Sequence, residues 1–233
     1  MRKVALIGGL GYVVIFITGI FANFFVLEEL KVAGDEAMTF RNFTENSLLV
    51  RLALNAFIAM VIFDVILTWV LYVLFKKQHP KLSLITAWFR LINAVLFGAA
   101  LFHFTAILNL ISNPVSRQGA AQELTAALQG FNDVWLIGLG FFGAHLVLLS
   151  VLLCRSARVG KLIPGLLMIA GIGYLVDTAL QFGYADYDSI AEISTLVVAL
   201  PGIIGELSLT GWLFFKAGKE RRIKGLEKLS KAS

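Results

Sequence analysis

Six ionisable side chains stand inside long apolar stretches of this chain: Asp64, Arg90, His103, His145, Asp177 and Glu206. Charge is costly in hydrocarbon. Where it is kept, it faces a bundle interior or a wet cavity and serves as an ion pair, a proton relay or a ligand site. At a rise of ~1.5 Å per residue, Asp64, His145 and Glu206 fall within a turn of the middle of their stretches, His103 and Asp177 lie ~8 Å to one side, and Arg90 lies ~11 Å to the other. At that depth Arg90 needs a partner, and Asp64, on the preceding stretch, is the expected one.

Helical facing sharpens the pattern. Tyr174, Asp177, Gln181 and Tyr184 fall on one stripe that leads outward from the core, as a cavity wall would. Thr195, Ala199, Gly202, Glu206 and Thr210 share another face, and Pro201-Gly202 offers a kink or break beside Glu206. His145 shares a face with Gly138, Phe142 and Leu149, and Arg90 shares one with Asn93. These placements predict a polar cavity between the fourth, fifth and sixth apolar helices. Tyr174, Asp177 and Gln181 would form its wall, and His145 and Glu206 its floor. Asp64, Arg90, His145, Tyr174, Asp177, Gln181 and Glu206 are therefore the candidate residues for holding a small molecule, an ion or a proton. With a histidine beside carboxyls, binding there is expected to depend on pH. A weaker alternative is a metal held by His103, His145 and Asp177, although no two of these have ligand spacing on one helix. The bland alternative is a dry cluster that only holds helices together.

The elements that position these residues are six apolar stretches, roughly Val4–Leu27, Leu52–Phe75, Leu84–Ile111, Val134–Cys154, Leu162–Phe182 and Ile193–Phe215. Each has the ~20 residues needed to cross a bilayer as a helix. Unbroken runs without alternation mean helices, because only a helix or a closed barrel satisfies its backbone in lipid. The fold class is thus all-α, a polytopic six-helix membrane bundle over 1–215 with a basic tail over 216–233. The first stretch is longer than a signal-peptide core, which marks it as a retained helix.

Fifteen Lys/Arg lie on one side of this arrangement: Arg2, Lys3, Lys76, Lys77, Lys81, Arg155, Arg158, Lys161 and seven between Lys216 and Lys231. Only Lys31, Arg41, Arg51 and Arg117 lie on the other. The positive-inside rule places both termini in the cytoplasm. The tail is positioned to meet anionic lipid headgroups. Between the third and fourth apolar stretches, Ser116–Gly130 reads as a short surface helix with Ser116 as its cap and Gly130 as its stop.

Composition excludes other classes. With 58% hydrophobic and 15% charged residues and a mean hydropathy of +0.84, the chain is no soluble globular domain. Its single cysteine, Cys154, excludes an internal disulfide framework. Basic charge concentrated on one side of the spans, most of all in the tail after the last one, argues against nucleic acid as a partner. The glycine runs Gly9-Leu10-Gly11 and Gly138–Gly143 follow no strand, so they are helix-packing surfaces and point to no nucleotide or other cofactor.

Two segments echo one another. Gly9-Leu10-Gly11-Tyr12 matches Gly171-Ile172-Gly173-Tyr174, and one helix later Asp64-Val65-Ile66-Leu67-Thr68 matches Glu206-Leu207-Ser208-Leu209-Thr210. As a repeat, helices one and two would pair with five and six in parallel, about an axis along the membrane normal. Biased composition also produces such echoes.

Phe89-Arg90-Leu91, Phe141-Phe142-Gly143-Ala144-His145, Gly173–Asp177 and Glu206-Leu207 together resemble a largely bacterial integral-membrane family catalogued as domain of unknown function 4386. The resemblance covers nearly the whole chain. It implies a prokaryotic inner-membrane protein of six or seven helices and brings no activity with it. Three functions compete on these grounds. Small-molecule or ion binding or transport leads, a scaffold or sensor subunit follows, and an intramembrane enzyme is the third.

Overall fold

The computed structural model describes residues 1–112, 119–156 and 159–217. Ser116, Arg117, Arg158 and the tail from 218 onward lie outside the described residues.

Among the described residues, six helices are long and apolar enough to cross a membrane. The first is α1, Arg2–Ile20, which continues without a break as a π-helical segment, Phe21–Glu28. A short α2, Glu36–Glu45, follows. The remaining spans are α3, Ser47–Phe75; α4, Pro80–Ser112; α5, Ala120–Ser156; α6, Leu162–Gly183; and α7, Ala191–Phe215. All the elements are helical among the described residues.

The spans form a closed ring. Each packs on the next, and α7 returns to α1. Arg2 closes it by donating to the carbonyls of Leu213 at 3.0 Å, Ala217 at 3.1 Å and Phe214. These are orphan carbonyls at a helix C-terminus, where a cation is well placed. The first and last described elements therefore meet on one face of the bundle, called here the terminal face. The opposite, far face carries α2, whose first turn is capped by Asp35 accepting from the Met38 amide at 2.8 Å.

Glycine sets the closest crossing. A Cβ at Gly143 on α5 would lie 2.8 Å from the Gly171 carbonyl oxygen on α6, and one at Gly171 would lie 2.7 Å from the Gly143 oxygen. The two backbones touch, as small residues allow in membrane bundles.

The interior is layered. Toward the far face lies an apolar cluster built on Phe57, Phe97, Phe104 and Phe131, with Trp135 packed against it. Toward the terminal face lies a second, built on Tyr12, Leu67, Leu146, Leu149 and Leu209. Asp64 sits between the two clusters on α3, and Arg90 and Asn93 sit between them on α4.

One expectation fails. Ser116–Gly130 is not a separate helix ended by Gly130, because α5 runs unbroken from Ala120 through Gly130 to Ser156. Gly130 is instead a contact point. A Cβ there would meet the His103 ring at 2.5 Å, so glycine admits that side chain without ending the helix.

Candidate functional site

Asp64 and Arg90 form a buried ion pair, with Arg90 Nη2 donating to Asp64 Oδ1 at 2.5 Å. Asn93 Nδ2 donates to the other carboxylate oxygen at 3.1 Å. Arg90 Nη1 reaches Tyr12 Oη at 3.5 Å and His145 Nε2 at 3.2 Å. The guanidinium also lies 5.3 Å from the Tyr12 ring centre and 5.6 Å from that of Phe142, within cation–π range of both. Four spans, α1, α3, α4 and α5, thus converge on one arginine.

Hydrogen-bond bookkeeping fixes the histidine. A guanidinium has only donors, so His145 Nε2 must accept. Its Nδ1, 2.9 Å from the Thr86 carbonyl, must then carry the proton. His145 is a neutral imidazole clamped onto α4, fully buried behind Arg90. Two polar atoms of the cluster, Arg90 Nε and Asn93 Oδ1, are buried without a hydrogen-bond partner among the described residues.

Next to this cluster is a cavity of about 590 Å³. Asp64, Arg90 and Asn93 form its polar floor together with Glu206. Phe97, Trp135, Phe142 and Tyr174 supply aromatic walls. Phe97 and Trp135 stack with ring centres 3.8 Å apart, and Phe142 meets Tyr174 edge-on at 5.5 Å. The cavity leads toward the far face, where Glu28, Asp177 and Gln181 border it.

Asp177 has a full set of partners. Its carboxylate accepts from Gln181 Nε2 at 2.8 Å, from the Tyr187 hydroxyl at 2.7 Å and from the Ser194 hydroxyl. It ties α6 to the connecting 3-10 turn, Tyr187–Ser189, and to the start of α7. Glu206 is different. Its side chain forms no hydrogen bond or ion pair among the described residues, and it opens on the cavity.

The sequence-based site is brought together in part. Tyr174, Asp177, Gln181 and Glu206 border one cavity, as expected, and Arg90 pairs with Asp64. The cavity touches all six spans, however, not only the fourth to sixth. His145 is not its floor, because Arg90 fills the space between them. Tyr184 is exposed and takes no part. Helix α7 runs through Pro201-Gly202 without a break. The structure does not gather His103, His145 and Asp177. His103 lies against Gly130, and among the described residues no three His, Cys, Asp or Glu form a metal-like group. Sequence reasoning missed Tyr12 as an Arg90 contact, although the Gly9-Leu10-Gly11-Tyr12 echo had singled it out. It also missed Asn23, Tyr187 and Ser194. The two tyrosines and two acids of the echo all border the same centre.

Residues 7–217 match the model of a family described as Domain of unknown function (DUF4386). The chain belongs to that family. It is also similar to a protein of Archaeoglobus fulgidus named only as uncharacterized, with 28% identity over 161 residues, covering 69% of this chain and 80% of the relative. No solved structure matches. The Arg90, His145, Asp177 and Glu206 segments all lie within the matched region of this family.

Proposed function

We propose that this family member binds a small organic cation in its membrane-embedded cavity, with Glu206 as the counter-charge. In the same reading both termini face the cytoplasm, which turns the far face and the cavity mouth to the exterior of the inner membrane. The basic side of the spans supports that orientation, and the tail then meets anionic headgroups on the cytoplasmic side.

The observation that carries the reading is the state of the carboxylates. Asp64 is neutralised by Arg90, and Asp177 is saturated by three donors. Among the described residues that border the cavity, Glu206 is the carboxylate with no hydrogen-bond or ion-pair partner, and the one cation on the floor, Arg90, is already paired. A cavity of about 590 Å³ exceeds what a bare ion needs and lies within the ordinary range for small-molecule sites. Aromatic faces from Trp135, Phe142 and Tyr174 add cation–π attraction, strongest where water is excluded. In this division of labour the Asp64–Arg90–His145 cluster is scaffold and Glu206 is the binding group, so the scaffold reading describes one layer of the same molecule.

Purified protein in lipid nanodiscs, titrated with tetramethylammonium and followed by Trp135 emission, tests this. The parent should show saturable quenching, lost in Trp135→Phe. Glu206→Gln should bind at least tenfold more weakly with an unchanged melting temperature. Equal binding by Glu206→Gln overturns the reading.

A further inference from the structure

The first and last helices meet at the terminal face. Gly8 lies against Leu213, Gly9 against Phe214, and Arg2 caps the end of α7. Beyond that contact, the π-helical continuation Phe21–Glu28 packs on α3. On this side the cavity is bordered by Asn23, Phe24 and Glu28 from one edge and by Thr195, Val198 and Ala199 from the other. Phe24 lines the cavity and yet is 68% exposed, and Thr195 does the same. Residues that border a cavity and also show on the outer surface stand at an opening.

The surroundings of that opening are apolar. Ile17, Ile20 and Phe25 flank it on one side, and Leu196, Leu200 and Ile203 on the other, all exposed large hydrophobic side chains on membrane-spanning helices. Such a surface is covered by acyl chains, so the slot faces hydrocarbon rather than water. The π-helical turns belong to this device. They are wider than α-helical turns, and such irregularities cluster at functional sites. Asn23 is turned to the cavity edge with its amide donating to the Gly19 carbonyl at 3.2 Å, which keeps the irregular backbone satisfied.

We propose that the cavity is loaded sideways from the bilayer, through the slot between Phe21–Glu28 and the outer half of α7, and that its ligand is an amphipathic amine. This rests on the cation reading above and names its substrate class. The ammonium reaches Glu206 on the floor, and the hydrocarbon lies along the aromatic wall and out through the slot. From Glu206 to Thr195 the helix climbs about 16 Å, which a long alkyl chain spans.

The test compares two ligands with one head group, tetramethylammonium and dodecyltrimethylammonium, on Phe24→Cys/Thr195→Cys protein made in a Cys154→Ser background. The slot is closed in nanodiscs with a bis-methanethiosulfonate cross-linker, which forms a disulfide to each cysteine with loss of methanesulfinate and which a reductant cleaves, and Trp135 quenching reads binding. Closing the slot should slow dodecyltrimethylammonium binding at least tenfold. Tetramethylammonium, which uses the aqueous mouth at Glu28 and Gln181, should bind as in the reduced protein, and reductant should restore the long-chain ligand. Unhindered dodecyltrimethylammonium binding after complete cross-linking overturns the lateral route alone. Failure of both ligands to bind the reduced protein overturns the cation reading and the route with it. A second measurement needs no cysteine pair. In Trp69→Phe/Trp88→Phe protein, lipids brominated on their acyl chains should quench a component of the emission that Trp135→Phe removes, and absence of that component also overturns the slot.

Discussion

Arg90 and Asp64 stand on neighbouring helices, 26 residues apart in sequence, and are joined by a 2.5 Å hydrogen bond with almost no exposure of either side chain. Burial makes this pair asymmetric in its consequences. Kept whole, it is near neutral in stability, because desolvation offsets most of the attraction; broken by loss of one partner, it leaves a bare buried charge.

The first prediction follows from that asymmetry. Asp64→Asn should destabilise the bundle by about 3–5 kcal/mol, because Arg90 keeps its charge and loses its counter-ion. The double replacement Asp64→Leu/Arg90→Met should recover at least half of that loss. Thermal unfolding in one detergent, for both variants and both singles, measures it. Additive effects in the double variant would show that the two side chains do not act as a pair.

Asp177 predicts a different, local phenotype. Its carboxylate joins Gln181, Tyr187 and Ser194, and hydrogen bonds to a charged group contribute about 1.5–3 kcal/mol each. Asp177→Ala should release the turn between α6 and α7 while the terminal-face packing stays intact. Hydrogen exchange should rise in residues 184–194 and remain at parent level in α3 and α4. Exchange that rises evenly through the chain would mean that Asp177 supports the whole bundle instead.

These two acids show what the sequence could and could not reveal. The spans are legible because each is a long apolar run, and the Arg90–Asp64 pair is legible because an arginine at that depth needs a carboxylate nearby. Tyr12 carries no charge to distinguish it from the apolar residues of its helix. Periodicity gives His145 a direction and not the neighbour found there, and Arg90 occupies the space between it and the cavity. The Asp177 clasp draws on Tyr187 and Ser194, which belong to a connection with no periodic pattern. The π-helical register of Phe21–Glu28 is a backbone property that leaves no mark in composition.

Gly143 and Gly171 predict a packing phenotype that is independent of charge. A methyl on either would come within 2.8 Å of the other's carbonyl oxygen, a backbone atom that cannot rotate away. Gly143→Ala should therefore push α5 and α6 apart and lower stability by about 1–3 kcal/mol, the usual cost of overpacking. Gly211→Ala, where a Cβ would meet nothing within 4 Å, is the matched control and should be neutral or slightly stabilising. Melting temperatures of the two variants, compared with the parent, decide it. A neutral Gly143→Ala would show that the two helices are not locked at this crossing.

The last prediction concerns pH, and its sign follows from which state of Glu206 holds a cation. A carboxylate attracts an ammonium and a neutral carboxyl does not, so cation binding requires the ionised form. The groups around Glu206 are Arg90 and Asp64, already paired with each other, and the tyrosines Tyr12 and Tyr174. His145 is a fixed neutral member of the scaffold, with Arg90 at one ring nitrogen and the Thr86 carbonyl at the other. Affinity for tetramethylammonium should therefore be constant at high pH and fall about tenfold per pH unit once protons compete for Glu206, the slope of a single competing proton. Glu206→Gln should remove the slope together with most of the affinity. Glu206→Asp should keep a slope, since the carboxylate survives on a shorter arm. Titrations at several pH values in nanodiscs measure all three. A pH dependence that persists in Glu206→Gln would assign the titrating group elsewhere in the cavity.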